Sequence, residues 1–169
     1  MRILIISFFL MLTLTSIKAQ TTTTISGAQI SFIFLAKDVN GTIAGFDSDA
    51  TIDLENPSNS KFKGSVAVET LKTGISLRNW HLKGKKYFNE KKYPRIFFES
   101  YQVEKNEGDI RVRGKLMIKG ITKTITIVFK KKGNQLVGTT SLYCSDYGIN
   151  IKKKREDNKV KIKIVLDLK

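Results

Sequence analysis

Apolar and polar residues alternate along most of this chain with a period of two, the spacing that turns one face of a β-strand toward a core. Ile30, Phe32 and Phe34 share a face, as do Ile52 and Leu54, and Val66 and Val68. In the second half Ile110, Val112, Leu116 and Ile118 stand opposite Arg111, Arg113, Lys115 and Met117. Gly133-Asn134 separates a strand carrying Ile125, Ile127 and Phe129 from one carrying Leu136, Thr140 and Leu142. The final run is the most regular, with Val160, Ile162, Ile164, Leu166 and Leu168 alternating against Lys159, Lys161, Lys163 and Asp167. Gly41 and the cluster Asn56-Pro57-Ser58-Asn59 read as turns between the earlier runs. Many short strands joined mostly by tight turns predict an all-β fold, a single antiparallel meander closed into a barrel of about eight strands so that no edge stays exposed. A barrel of that size is either filled by side chains or holds one small ligand, and periodicity leaves the choice open.

Period two fails between Thr73 and Pro94. Ile75, Leu77, His81 and Leu82 fit one side of a helical turn or two, and Gly84 is a stop signal, so a short helical insertion is predicted between about Gly74 and Lys86. Pro94 has no N–H to give to a ladder and should open the next strand. In that strand Ile96, Phe98 and Ser100 oppose Phe97, Glu99 and Tyr101.

The same segment resembles the signature of the YceI-like proteins, a bacterial envelope family. The matching residues are Thr73-Gly74, Arg78-Asn79-Trp80-His81-Leu82, Tyr87-Phe88, Lys92-Tyr93-Pro94 and the apolar strand from Ile96 to Ser100. Gly114 through Lys123 is similar to the family's Gly-x-Leu-Thr-Ile-x-Gly-Val-Thr-Lys hairpin, and Ser145 through Ile149 to its Asp-Phe-Gly turn. Asn79 stands where the family has Asp, keeping the hydrogen bonding without the charge, and the stretch from Gly41 to Asp49 is shorter and less regular than the family's. The resemblance implies a lipocalin-like β-barrel that binds a long-chain isoprenoid lipid and no cofactor, with the lipid headgroup near Arg78, Asn79 and His81.

Arg2, the apolar run from Ile3 to Leu14 and the small-residue exit at Ala19 read as a secretory signal peptide, residues 1–19, followed by one domain over 20–169. The run is short for a membrane span of ~20 residues. No Cys follows the cut, as a lipoprotein would need, so a periplasmic or secreted protein is expected. Cys144 is the only cysteine, which excludes an intrachain disulfide, and it reads as a small buried residue.

The chain carries 30 Lys and Arg against 15 Asp and Glu. Loss of the leader removes Arg2 and Lys18 from that balance. Basic residues cluster at Lys83, Lys85, Lys86, Lys91, Lys92 and Arg95, at Lys130 to Lys132, and at Lys152 to Arg155. Tyr87, Phe88 and Tyr93 interleave with the first cluster as a nucleic-acid stacking platform would. Export argues against nucleic acid; anionic lipid headgroups, or simply a solvated face, suit the compartment. The sequence leaves the oligomeric state open, a homodimer included.

His81 is the only histidine, with no Cys, second His or carboxylate pair near it in sequence, so no enzyme is expected and His81 reads as a hydrogen-bonding or pocket-lining residue. Burying one five-carbon isoprene unit gains roughly 3 to 4 kcal/mol at ~0.8 kcal/mol per CH₂. Association costs an estimated 4 to 15 kcal/mol, so only a tail of several units would be held. Phe32, Phe34, Val66, Val68, Leu77 and Phe88 are candidates for lining such a tunnel, together with Ile96, Phe98, Leu116, Ile127, Leu142 and Tyr143. For any one of them, membership of a filled core is the alternative, in which case the barrel would be an interaction module whose basic exterior binds an anionic envelope component.

Overall fold

The alternating runs pair in sequence order until the last strand meets the first. The computed structural model describes residues 22–169, so the leader and its expected cleavage at Ala19-Gln20 lie outside the described residues. The elements are β1 (Thr22–Thr23), β2 (Ile25–Phe34), β3 (Val39–Ser48), β4 (Ile52–Asp53), β5 (Lys63–Lys72), α1 (Ser76–Lys83), β6 (Arg95–Asn106), β7 (Asp109–Ile118), β8 (Ile121–Lys132), β9 (Gln135–Tyr143) and β10 (Lys159–Leu168). Eight strands form a closed antiparallel barrel in the order β10-β2-β3-β5-β6-β7-β8-β9, while β1 and β4 make a two-stranded ribbon. The chain thus forms the expected eight-stranded barrel with one short helix.

Register explains the inner face. On β10, Ile162 lies opposite Phe32 of β2 and Thr140 of β9, and Ile164 opposite Ile30 and Gly138, so apolar sets from three strands meet inside. Tight turns preserve this register. Glu107-Gly108 and Lys119-Gly120 both take positive φ at two successive residues, the two-residue hairpin geometry whose twist suits the flanking strands.

Two expectations about the first hairpins are corrected. Gly41 is no turn: the turn is the 3-10 segment Leu35–Lys37 with Asp38 at φ 48°, and Gly41 sits inside β3 opposite Phe32. A Cβ on Gly41 would come within 2.2 Å of the Phe32 ring, so close approach of a side chain is what requires glycine there. Ile52 and Leu54 do not form a barrel strand either; only Ile52 and Asp53 pair, with β1. They belong to a segment, residues 49–62, that folds across one end of the barrel. Ile52 is fully buried there, and Phe62 stacks on Phe129 with ring centroids 5.3 Å apart. Val103, Ile110, Val112, Leu136 and Leu168 complete a packed plug at that end.

A buried carboxylate holds this plug in shape. Asp53 Oδ1 accepts from the Glu55 N–H at 3.0 Å and the Asn56 N–H at 2.7 Å, and Oδ2 from Asn59 Nδ2 at 3.3 Å. At the opposite end Asn158, fully buried, ties down the β9–β10 connection: its Oδ1 accepts from the Ile151 and Lys152 N–H groups, each at 2.9 Å, and its Nδ2 donates to Lys152 and Lys154 carbonyls. Near it Cys144 and Tyr147 are buried in a second apolar cluster with Phe34, Leu116, Ile118 and Ile149.

Asp53→Ala should leave backbone donors of the plug unpaired and lower stability by about 1–3 kcal/mol, read as a shift in denaturant midpoint; an unchanged midpoint would show the plug does not depend on the carboxylate. A second expectation concerns alkaline pH. Burial pushes the Cys144 thiol up from 9.0 to about 11 and the Tyr147 phenol up from 10.0 to about 12. The unfolded chain therefore releases both protons at lower pH than the folded one, so stability should be level below about pH 9 and fall toward pH 12. Cys144→Ala should flatten the earlier part of that fall in pH-dependent denaturant titrations.

Candidate functional site

Between the plug and α1 the barrel is hollow. The cavity measures about 510 Å³, within the range of small-molecule sites, and its wall is overwhelmingly apolar. Phe32, Phe34, Val66, Phe88, Ile96 and Phe98 line it, as do Leu116, Ile127, Leu142, Arg78 and His81. The choice that periodicity leaves open, filled or hollow, falls on hollow.

Three of the candidate residues stand elsewhere. Val68 is buried but does not border the cavity, because β5 bulges: Ala44 pairs with Ala67 and Thr42 with Lys72, so the strand gains residues against β3 and Leu71 takes the inward place. The Thr70 hydroxyl seals that bulge, donating to the Ala67 carbonyl at 2.7 Å while accepting from the Ala44 N–H at 2.8 Å. Leu77 is 67 % exposed, on the outer side of α1. Tyr143 follows the inward Leu142 and so faces out, where the Arg155 guanidinium lies 3.9 Å from its ring centroid.

The phase of α1 is set by Thr73, which is buried at the end of β5. Asn79 Oδ1 accepts from both the N–H and the hydroxyl of Thr73, each at 2.7 Å. Arg78 Nε donates to Thr73 Oγ1 at 2.8 Å, and its Nη2 to the Thr73 carbonyl. These bonds turn Arg78, His81 and Leu82 toward the cavity and leave Ile75, Leu77 and Trp80 outside. Asn79 makes both of these contacts through its side-chain carbonyl oxygen. No side-chain hydrogen bond reaches His81 among the described residues; its ring meets Trp80 edge-on at 5.0 Å. The excursion is organised by Arg78 and Asn79, with His81 standing free at the mouth.

Segments far apart in sequence support this end. After Gly84 the chain turns repeatedly, with the Phe88 N–H bonded to the Leu82 carbonyl and the Tyr93 N–H to the Asn89 carbonyl. Tyr93 packs over Gly120 in the β7–β8 turn, so closely that a Cβ there would lie 2.8 Å from the ring. Lys119 Nζ reaches the carbonyls of Lys86 at 3.1 Å and Gly148 at 3.2 Å. Gly148 ends the 3-10 turn Cys144–Tyr147, whose Asp146 is held below the usual carboxylate range by its hydrogen bonds to Arg155. The motif segments at 73–100, 114–123 and 145–149 thus converge on the rim around α1.

Polar character at this rim is one-signed. Lys37, from the β2–β3 turn, joins Arg78 and His81 in the lining, and no acidic side chain among the described residues does. Lys37 escaped sequence reasoning because nothing local marks that turn as part of a mouth. Ile30, Ile162, Ile164 and Leu166 also line the cavity, and their alternation was sufficient to find them. Ile43 and Phe46 line it from a strand whose pairing with β5 shifts register twice, which hid their phase.

Several solved structures are similar to this chain in fold. A Burkholderia cenocepacia protein, BcnA, superposes with a TM-score of 0.73 at 21% identity, over 82% of this chain and 94% of that one. The Campylobacter jejuni YceI protein gives 0.65 at 18%, over 78% and 84%. A polyisoprenoid binding domain from Saccharophagus degradans gives 0.57 at 11%, over 88% and 97%. Among curated relatives, a UPF0312 protein of Photorhabdus laumondii is 36% identical over 87 residues, 52% of this chain and 45% of that protein. One from Yersinia pestis is 34% identical over 93 residues, 55% of this chain and 48% of that protein. These alignments span about half the length of the curated relatives. The YceI-like domain family model, in contrast, matches residues 16–168, nearly the whole chain. With the motif segments gathered at the rim of a closed eight-stranded barrel, the chain belongs to the YceI-like domain family.

Proposed function

We propose that this chain is an exported, non-enzymatic carrier of a long-chain isoprenoid lipid, a polyisoprenoid or an isoprenoid quinone, with the tail in the barrel and the head at the mouth. The observation that carries the reading is the cavity itself: an overwhelmingly apolar interior of about 510 Å³, with Lys37, Arg78 and His81 at the end beside α1 and Lys63 lining it from the plug end. An apolar tail gains from every CH₂ it buries, ~0.8 kcal/mol each, and an interior of this kind offers it little else to bind. Arg78 spends two donor groups on Thr73 and keeps others of its five for a carbonyl or phosphate oxygen. The likeness to a polyisoprenoid binding domain supports the same ligand class.

Binding rather than turnover is supported by what surrounds His81. Among the described residues the cavity wall brings it no carboxylate and no second histidine, so a proton taken from a ligand would have no relay. Export rests on Arg2, the Ile3 to Leu14 run and the small residue Ala19. Cell fractionation should find the chain starting near Gln20 outside the membrane fraction; an intact Met1 start in the integral membrane fraction would reject this.

Phe98 and Leu116 face each other across β6 and β7 and both line the cavity. Delipidated wild type should take up a fluorescent long-chain prenyl probe saturably, and native mass spectrometry should find a lipid of that class co-purifying. Phe98→Trp and Leu116→Trp should each cut uptake at least tenfold with little change in melting temperature, the added ring occupying hollow space. Absence of saturable uptake, with both variants destabilised by ~1–3 kcal/mol as overpacked cores are, would sink the carrier reading.

A further inference from the structure

The rim of the barrel is apolar on the outside as well as within. Of the large hydrophobic side chains left exposed, Ile75, Leu77 and Trp80 are the most prominent at this end, at 53 %, 67 % and 72 %. Leu35, Ile121 and Ile151 are exposed too, and each sits where a strand meets the same end: after β2, at the start of β8 and beyond β9. A folded chain gains nothing by holding a tryptophan and a leucine in water side by side on one helix.

Charge says what covers them. Residues 72 to 92 carry seven Lys and Arg against one carboxylate, Glu90. None of the ion pairs among the described residues uses any of these cations. An apolar face that includes Trp80, flanked in sequence by lysines that form no ion pair, has the chemistry of an interfacial helix on an anionic bilayer: the indole suits the headgroup level and the lysines meet lipid phosphates. An acidic protein would satisfy the lysines and leave the apolar face without a reason. A second copy would bring the same positive charge into contact with itself.

We propose that the outer face of α1, with the rim around it, docks on an anionic membrane surface. No helix among the described residues is long and apolar enough to cross a bilayer, so α1 would lie along the interface. Docked in this way, the helix puts Leu77 and Trp80 against lipid while Arg78, His81 and Leu82 on its other side border the cavity mouth. The barrel would then stand with its opening on the membrane and its plug away from it. Docking itself does not depend on what fills the barrel; only its use as a loading position rests on the carrier reading.

Trp80 is the only tryptophan, so the protein carries its own probe of the contact. The chain without residues 1–19, whose apolar run would bind membranes by itself, keeps every barrel strand and serves for the test. Phosphatidylcholine vesicles containing 30 % phosphatidylglycerol should sediment it and shift Trp80 emission to the blue, and pure phosphatidylcholine should bind at least tenfold more weakly. Leu77→Asp should reduce partition into anionic vesicles at least tenfold with the melting temperature and the uptake of a soluble prenyl probe unchanged. Paired Lys85→Glu and Lys86→Glu should remove most of the preference for anionic lipid. Equal sedimentation of wild type and Leu77→Asp, or binding with no change in Trp80 emission, would overturn the proposal. So would a wild-type dimer that Leu77→Asp dissociates and that ignores vesicles, which would assign the face to a second copy. Loss of probe uptake with docking intact would count against the carrier reading alone.

Discussion

Strand β10 hydrogen-bonds to β2 along one side and to β9 along the other, in nine register pairs each, and by doing so turns a meander into a ring. The other features of the molecule presuppose that ring. Backbone N–H and C=O groups pair from strand to strand around the ring, with register breaks between β3 and β5, so the interior can be left to apolar side chains. The closing strands are the first and last of the barrel, and their pairing brings residues more than a hundred positions apart into contact. Such long-range closure carries a high loop-closure entropy cost, and the cavity has no complete wall without it.

The two ends of the ring solve opposite problems. At one, a segment between β3 and β5 is folded inward around Asp53 and stacks Phe62 on Phe129, giving a dense plug. At the other, Thr73, Arg78 and Asn79 hold a short helix across the opening by hydrogen bonds rather than by packing. Apolar contacts would have filled the mouth; polar ones fix the helix while keeping space beneath it. The asymmetry gives the barrel a packed floor at one end and a hydrogen-bonded helix at the other.

What could be read directly from the residues was local. Period-two runs located the barrel strands other than β3, and Gly84 and Pro94 bounded the helical excursion; Leu142 and Tyr143, both expected in the lining, are adjacent on one strand, so their alternation admits only Leu142. Gly41 misled because its role is set by Phe32 on the neighbouring strand and not by a turn of its own. Val68 misled because a bulge in β5 against β3, sealed by Thr70, replaces it with Leu71. Leu77 misled because an eight-residue helix has too few turns to declare its phase, and the bonds to Thr73 that decide it are tertiary. The carboxylate of Asp53 and the contribution of Lys37 to the mouth were likewise beyond local pattern, since each depends on where a loop comes to rest.

The aromatic rings inside the barrel lie flat against glycine. Added Cβ atoms on Gly41, Gly114 and Gly138 would come within 2.2 to 2.4 Å of Phe32, Phe98 and Phe129, so each ring occupies the room a side chain would need in the wall. The hollow is therefore made by omission in the backbone, and a glycine inside a strand costs roughly 0.5–1 kcal/mol relative to alanine. An apolar occupant that binds the folded barrel and not the unfolded chain would raise its stability by mass action. Occupancy and lifetime are then one variable: a cell that degrades the less stable molecules would clear empty barrels first and keep the laden ones.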